Sequence, residues 1–412
     1  MNEEVAGAGS TSAFVPERSA GFVAAGLLVV LLAAPAAIAQ EVSLVAGGDV
    51  EWSREVKAPD VFWHPEPGED AEWRGVPLQN RAETRGLVGR ERGRVYDRDA
   101  HHEIAIEYGL EFDDGTEMAR YPWREIRPLF READVAFVNL ESPLSDDARW
   151  AGAFRTPAAF AGGLRWAGID VVSTANNHSL DAEGEGLRDT REALFRAGVG
   201  AVGTGGDLEA ARRPHVVERS GVRIAFLAYA QFVNVGSSAF AQPDRSGVAP
   251  LDPLLVEEDI RRVRDQVDWV VVSFHWGLEN ESRTHPEARR IAHEIIDAGA
   301  DVILGHHSHV PKAVELYGDG VIFYSLGNLI FGHNHDYWGD NIVADIRLGP
   351  GEIREIRVHP VAGEANEPSR PHLLGPKEGR KILSAVDSLS AEVGTRLRIE
   401  DGVGTGVGEG GR

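Results

Sequence analysis

No cysteine occurs in this 412-residue chain. That excludes disulfide staples, thiolate metal ligands and a lipidated cysteine anchor, so any metal must sit on His, Asp, Glu or Asn. Basic residues are scarce as well: 42 Lys and Arg stand against 65 Asp and Glu, for a net charge of −23. Such a field repels nucleic acid, and an anionic substrate would need focal capture by bound cations or by arginines such as Arg54 or Arg283. Long apolar runs are nearly absent. The run at residues 20–34, AGFVAAGLLVVLLAA, is too short for a comfortable membrane span. With Arg18 before it and Ala37-Ile38-Ala39 after it, it reads as a secretory signal cleaved before Gln40, or as a membrane anchor if uncleaved. The expected location is therefore periplasmic or secreted, and membrane-anchored in the second case.

What the chain does contain is a series of apolar runs that end in polar, metal-ligating residues: SLVAGGDVE, VAFVNLES, VVSTANNHSLD, WVVVSFHWG and DVILGHHSH. Each reads as a buried strand, and open α/β sheets gather ligands at the carboxyl ends of their strands. From Tyr121 strands alternate with helices, including one amphipathic helix over YPWREIRPLFREA. After residue 311 short strands follow without helices, which predicts a second, more antiparallel sheet completing a sandwich. The expected organisation is a signal or anchor at 1–39 and one α/β domain at 40–362, with an irregular insertion at about 55–118. A peripheral helix and a disordered Gly-rich tail are expected at 363–412.

The strand ends supply a dinuclear set. Asp49, preceded by two glycines, Glu141, Asn177 and His275 are candidate ligands, and in His306-His307-Ser308-His309 an extended backbone puts His307 and His309 on one face. The choice between His306 and His307 stays open. His178 is a candidate proton donor, with Asp181 placed three residues on to orient it. Asn328 in YSLGN is a candidate substrate contact, while His333 and His335 read as a loop or substrate rim.

The ordered set GGDVEWSR, NLESPLSD, ANNHSLDAEGEGL, HWGLEN, GHHSHVPKAVE and YSLGNLIF resembles the CapA-type poly-γ-glutamate capsule biosynthesis proteins, a branch of the metallo-dependent, calcineurin-like phosphoesterases. The resemblance implies a four-layer α/β/β/α sandwich with mixed sheets. It also implies two divalent ions (Mn, Zn, Fe or Mg) on Asp49, Glu141, Asn177, His275, His307 and His309. Phosphoesterases of this type commonly carry Asp-x-His, whereas this chain has Glu51 there, an oxygen ligand that would favour Mn²⁺ or Mg²⁺. The implied function is metal-dependent hydrolysis in capsule or exopolymer biosynthesis, with Arg54 and Asn328 contacting an anionic polymer or phosphoester. A membrane-bound synthesis or export machinery is the implied partner. Two alternatives are a non-catalytic accessory subunit for polymer export or anchoring and a secreted metal-dependent phosphodiesterase or nucleotidase.

Overall fold

The structure, a computed structural model, describes residues 41–52, 115–146, 154–234, 239–331, 339–363 and 370–408. The expected signal, most of the expected insertion, Arg54, His333 and His335 lie outside the described residues. Seventeen strands are described in chain order. They are Val42–Val50 (β1), Val135–Leu140 (β2), Val171–Ser173 (β3), Gly200–Val202 (β4), Thr204–Gly205 (β5), His215–Arg219 (β6), Val222–Ala230 (β7), Gly247–Val248 (β8), Trp269–His275 (β9), Val302–His306 (β10), Val314–Tyr317 (β11), Gly320–Phe323 (β12), Asn328–Ile330 (β13), Asn341–Leu348 (β14), Ile353–Val361 (β15), Thr395–Glu400 (β16) and Val403–Gly408 (β17). The α-helices are Gly115–Arg120 (α1), Arg127–Glu132 (α2), Phe160–Ala167 (α3), Glu183–Ala197 (α4), Leu208–Ala211 (α5), Pro253–Val263 (α6), Pro286–Asp297 (α7) and Arg380–Ala391 (α8).

Two large sheets result. The first runs β16-β17-β15-β14-β1-β2-β3-β4, with β13 also pairing with β1; the second runs β11-β12-β10-β9-β7-β6. Alternate residues of each strand serve different interfaces, as a period of two requires. Leu44 and Ala46 of β1, Phe137 of β2, Phe226 of β7 and Leu304 of β10 fill the space between the sheets. Phe137 stacks on Phe226, with ring centroids 5.6 Å apart. On its other face the first sheet packs Val45, Ala136 and Val138 against Phe130, Phe160, Leu164 and Leu194 of α2, α3 and α4. The second sheet packs Leu227, Val270 and Val272 against α6 and α7. Three apolar interfaces therefore separate four layers, the α/β/β/α sandwich with mixed sheets. Helix α7 shows the sequence logic: Ala288, Ile291, Ala292, Ile295 and Ile296 form its buried stripe, Pro286 opens its first turn and His285 caps it.

Three expectations are corrected. The helix expected from Tyr121 is broken into a 3₁₀ turn at Tyr121–Trp123 and α2. Pro128 explains the break, because its ring clashes with a continuing helix and it offers no N–H. The late strands do not make the second sheet by themselves: β11 and β12 join one side of it, and the rest go to the first sheet. The second sheet is mainly parallel and centred on β7, β9, β10 and β12, whereas β14 to β17 extend the first sheet antiparallel from β1. The Gly-rich ending also differs from a disordered tail: Val403–Gly408 pairs with β15 and β16. Leu383 and Val386 of α8 join the core between the layers, so that helix is buried on one side rather than peripheral. Among the described residues no helix is long and apolar enough to cross a membrane.

Candidate metal centre

The parallel strands of both sheets deliver their carboxyl ends to one place. The approach is close: the backbone N–H of Asp49 donates to the Gly327 carbonyl at 2.9 Å, and a Cβ on Gly48 would lie 1.8 Å from that same oxygen. Only glycine lets β1 reach this depth. Asp49 is fully buried, with Asn139 Nδ2 donating to its Oδ1 at 2.8 Å and the His307 backbone N–H to its Oδ2 at 3.2 Å. Burial alone would raise its proton affinity, but His306, His309 and the Asn139 hydrogen bond together hold it below the ordinary aspartate value.

Glu141, immediately after β2, is also fully buried, and neither carboxylate oxygen has a hydrogen-bond partner. Burial, then the charges of Asp49, Glu279, Glu51 and Asp181, push its proton affinity well up. His275 Nε2 lies 3.4 Å from Glu141 Oε1 and 2.7 Å from Asn177 Oδ1. Burial and the neighbouring His307, His306, His309 and His178 push the His275 pKa well down, and burial with His309, Lys312 and His178 does the same to His307. Both rings are thereby held neutral, the form that ligates a metal.

Three groups of donor atoms lie within 4.8 Å of one another: Glu141 with His275 and His307, Asp49 with Glu141 and His309, and Glu279 with His307 and His309. Glu141 is shared by the first two. A buried carboxylate with no hydrogen bond to either oxygen is expensive unless a cation or proton compensates it, so this donor set fits divalent metal.

His307 and His309 do converge, but not by strand alternation. Strand β10 ends at His306, and His307 and His309 adopt positive φ of 89° and 55°, a left-handed loop that brings their ring centroids to 5.9 Å. Non-glycine residues there cost of order 1–3 kcal/mol each and persist where the surroundings enforce them. His306 points between the sheets, with Nδ1 3.3 Å from Asp49 Oδ1, and belongs to none of the three groups. Glu51, one residue past the end of β1, is buried yet also outside them. Asn328 is not free to face a substrate with its oxygen: Oδ1 lies 2.8 Å from His309 Nδ1 and holds that ring.

His178 and Asp181 form a dyad, Nδ1 to Oδ2 at 2.7 Å, and the Phe154 backbone N–H also donates to Asp181 Oδ2 at 2.9 Å. The Phe154 ring covers His178 at 4.0 Å, and Asn234 Nδ2 approaches both ring nitrogens at 3.3 Å.

Sequence reasoning passed over Glu279, Asn139, Asn234 and Lys312. Lys312 is one of four lysines in the chain, 6% exposed, and burial pushes its amine down to about 8 despite the partly offsetting charge of Glu281. The folded state then holds fewer protons than the unfolded one between about pH 8 and the ordinary lysine value, so stability rises with pH across that window. Replacing Lys312 with Met should flatten that rise and stabilise the protein at pH 7 by up to roughly 3 kcal/mol. Urea unfolding of both proteins at pH 7 and pH 10 measures the difference; parallel curves would count against a buried amine.

Residues 44–333 match the family described as bacterial capsule synthesis protein PGA_cap. The PGA biosynthesis protein CapA of Bacillus subtilis is 29% identical over 284 residues, 67% of this chain and 73% of that protein. The capsule biosynthesis protein CapA of Bacillus anthracis is 29% identical over 259 residues, 60% of this chain and 62% of that one. A probable polyglutamine synthesis accessory protein of Mycobacterium tuberculosis is 34% identical over 232 residues, 51% and 60% of the two chains. The chain thus spans less than two thirds of the length of these last two relatives. Among solved structures, the calcineurin-like phosphoesterase YfkN of Bacillus subtilis aligns at a TM-score of 0.41 and 10% identity, over 78% of this chain and 91% of that one.

Proposed function

This chain belongs to the bacterial capsule synthesis protein family, and from that premise we propose that it is an extracytoplasmic, metal-dependent hydrolase-like protein of poly-γ-glutamate capsule or exopolymer biosynthesis. The observation that carries the proposal is Glu141: a buried carboxylate with no hydrogen bond to either oxygen, common to two donor groups at the meeting of two sheets. Asp49 and His309 would hold one cation, His275 and His307 the other with Asn177 beside them, and Glu141 would bridge. Bound divalent cations would supply Lewis acidity and an acidified water.

The protein's own groups do the rest. Asp181 fixes His178 through Nδ1, and Nε2, which Asn234 Nδ2 approaches at 3.3 Å, would carry a proton toward a departing oxygen or nitrogen once that amide gives way. Phe154, tilted 39° over that imidazole and itself only 4% exposed, keeps water from one face of it. The substrate class is an anionic polymer amide or a phosphoester, captured locally because the chain as a whole is strongly acidic. An amino-terminal signal would bring the domain to a membrane-bound synthesis or export machinery. A second reading, a non-catalytic accessory subunit, is favoured by the name of the mycobacterial relative and by Glu51 falling outside the donor groups.

One experiment separates them. Purified protein, stripped of metal and then supplied with Mn²⁺ or Zn²⁺, is assayed against poly-γ-glutamate and against a bis-nitrophenyl phosphodiester. Metal-dependent cleavage of the polymer supports the capsule hydrolase, and cleavage of the diester alone supports a general phosphodiesterase. Tight metal binding with no turnover of either leaves the accessory role.

A further inference from the structure

The loop after β9 is built against the histidine loop after β10. The Trp276 backbone N–H donates to the His306 carbonyl at 3.4 Å, that of Gly277 to Gln231 Oε1 at 2.8 Å, and that of Asn280 to the Ser308 carbonyl at 2.9 Å. The indole N–H of Trp276 donates to the Tyr324 carbonyl at 3.1 Å. Positive φ at Gly277 (90°) and Asn280 (57°) folds the four residues between tight turns. Four hydrogen bonds to three different segments leave this loop little freedom, and the residue it presents is Glu279.

Its carboxylate comes within 4.8 Å of the donor atoms of both His307 and His309, a group that includes neither Asp49 nor Glu141. The other donors, Asp49, Glu141, His275, His307 and His309, are all at least nine-tenths buried, whereas Glu279 is of intermediate exposure. It therefore stands at the solvent side of the centre. Glu51, in the place where an Asp-x-His histidine would stand, is in no donor group. The centre is thus short of one donor from the first motif and has one to spare from the loop after β9.

We infer that Glu279 is a metal ligand, a carboxylate on the solvent side that joins His307 and His309 and supplies the donor that Glu51 does not. This rests on the dinuclear reading above. Three carboxylates, Asp49, Glu141 and Glu279, then face two cations, an oxygen-rich set that suits Mn²⁺ or Mg²⁺ better than a histidine-rich one would. A ligand of intermediate exposure is also the one that an incoming anionic oxygen can displace with least disturbance of the buried donors.

The test is metal affinity of the full chain, read by calorimetry and by elemental analysis after dialysis against Mn²⁺, for wild type, Glu279→Gln, Glu279→Asp and Glu51→Gln. Glu279→Gln should weaken one of two sites about 10- to 100-fold, the loss typical of disrupted metal-site groups. Glu279→Asp should fall between it and wild type, and Glu51→Gln should stay within about twofold of wild type. Because Glu279 is of intermediate exposure, its two variants should keep the wild-type unfolding midpoint without metal. Wild-type affinity in Glu279→Gln overturns the inference while leaving the dinuclear reading intact. Equal weakening in Glu279→Gln and Glu51→Gln overturns the replacement of one by the other. A wild-type protein that binds no metal overturns both the inference and the reading beneath it.

Discussion

Glu141→Gln is expected to lower turnover by about 10³-fold or more and to bring bound metal below about half an equivalent, because its carboxylate is common to two of the donor groups. The same substitution should not destabilise the metal-free protein. Burial and then the charges of Asp49, Glu279, Glu51 and Asp181 raise the Glu141 pKa above its ordinary value. The folded state therefore holds more protons than the unfolded state above about pH 4.5, and the metal-free protein loses stability as pH rises through that window. Glutamine has no charge to desolvate and removes the slope. His275 and His307 act in the opposite sense: their depressed pKa values mean that stability is present above the ordinary histidine value and is lost as pH falls below about 6.5. Thermal unfolding of metal-free wild type and Glu141→Gln from pH 5 to pH 8, beside metal titrations at pH 7, gives both parts. A variant that keeps two equivalents of metal, or one that loses several kcal/mol without metal, would show that Glu141 is a structural acid.

The positions of the strands that build this centre could be read from the chain because each is an apolar run interrupted by a sudden polar residue. Asp49, His275 and His307 stand where a fully buried strand becomes a loop, and that transition is visible in one dimension. Which strands pair is not visible in the same way. Strands β14 and β15 alternate much as any half-buried hairpin would, and nothing in their pattern states that β14 lies beside β1 through Val42 to Ala46 rather than in a second sheet. The left-handed backbone at His307 and His309 was hidden for a related reason: a His-x-His spacing fits an extended strand equally well, and the His307 N–H contact to Asp49 that accompanies the loop spans 258 residues.

Polar residues inside strands or on open loops were the hardest to see. Asn139 lies within β2, and its sequence context is that of any strand asparagine, yet its amide links Asp49 to His275, at 2.8 and 3.3 Å. Glu279 looks like one more surface glutamate in a chain with 65 acidic residues. Its position beside His307 and His309 depends on a loop anchored by backbone N–H groups to Gln231 and Ser308, and those residues are far away in sequence. Asn328 was legible as a residue of the centre but not in its contact, since a turn asparagine gives no sign of whether it faces a ligand or a neighbouring imidazole.

Asp181→Asn should lower kcat by roughly 10²- to 10³-fold on a substrate with a poor leaving group and leave KM nearly unchanged, with His178→Ala at least as severe. The asymmetry comes from what each group touches. In the proposed reaction His178 Nε2, the ring nitrogen that Asp181 does not hold, would meet the substrate, and Asp181, 2.7 Å from Nδ1, would stabilise the imidazolium from which the proton leaves. Asparagine keeps an oxygen for the Phe154 backbone N–H but brings no charge to the ring, so the fold survives and the proton donor weakens. A nitrophenolate leaves without protonation, so the same variants assayed on a nitrophenyl ester should lose less than about tenfold. A structural defect would depress both substrates alike, and a dyad that merely packs beneath Phe154 would depress neither. Only a positioned acid separates the two leaving groups, so the ratio of the two rates, rather than either rate alone, identifies what His178 does.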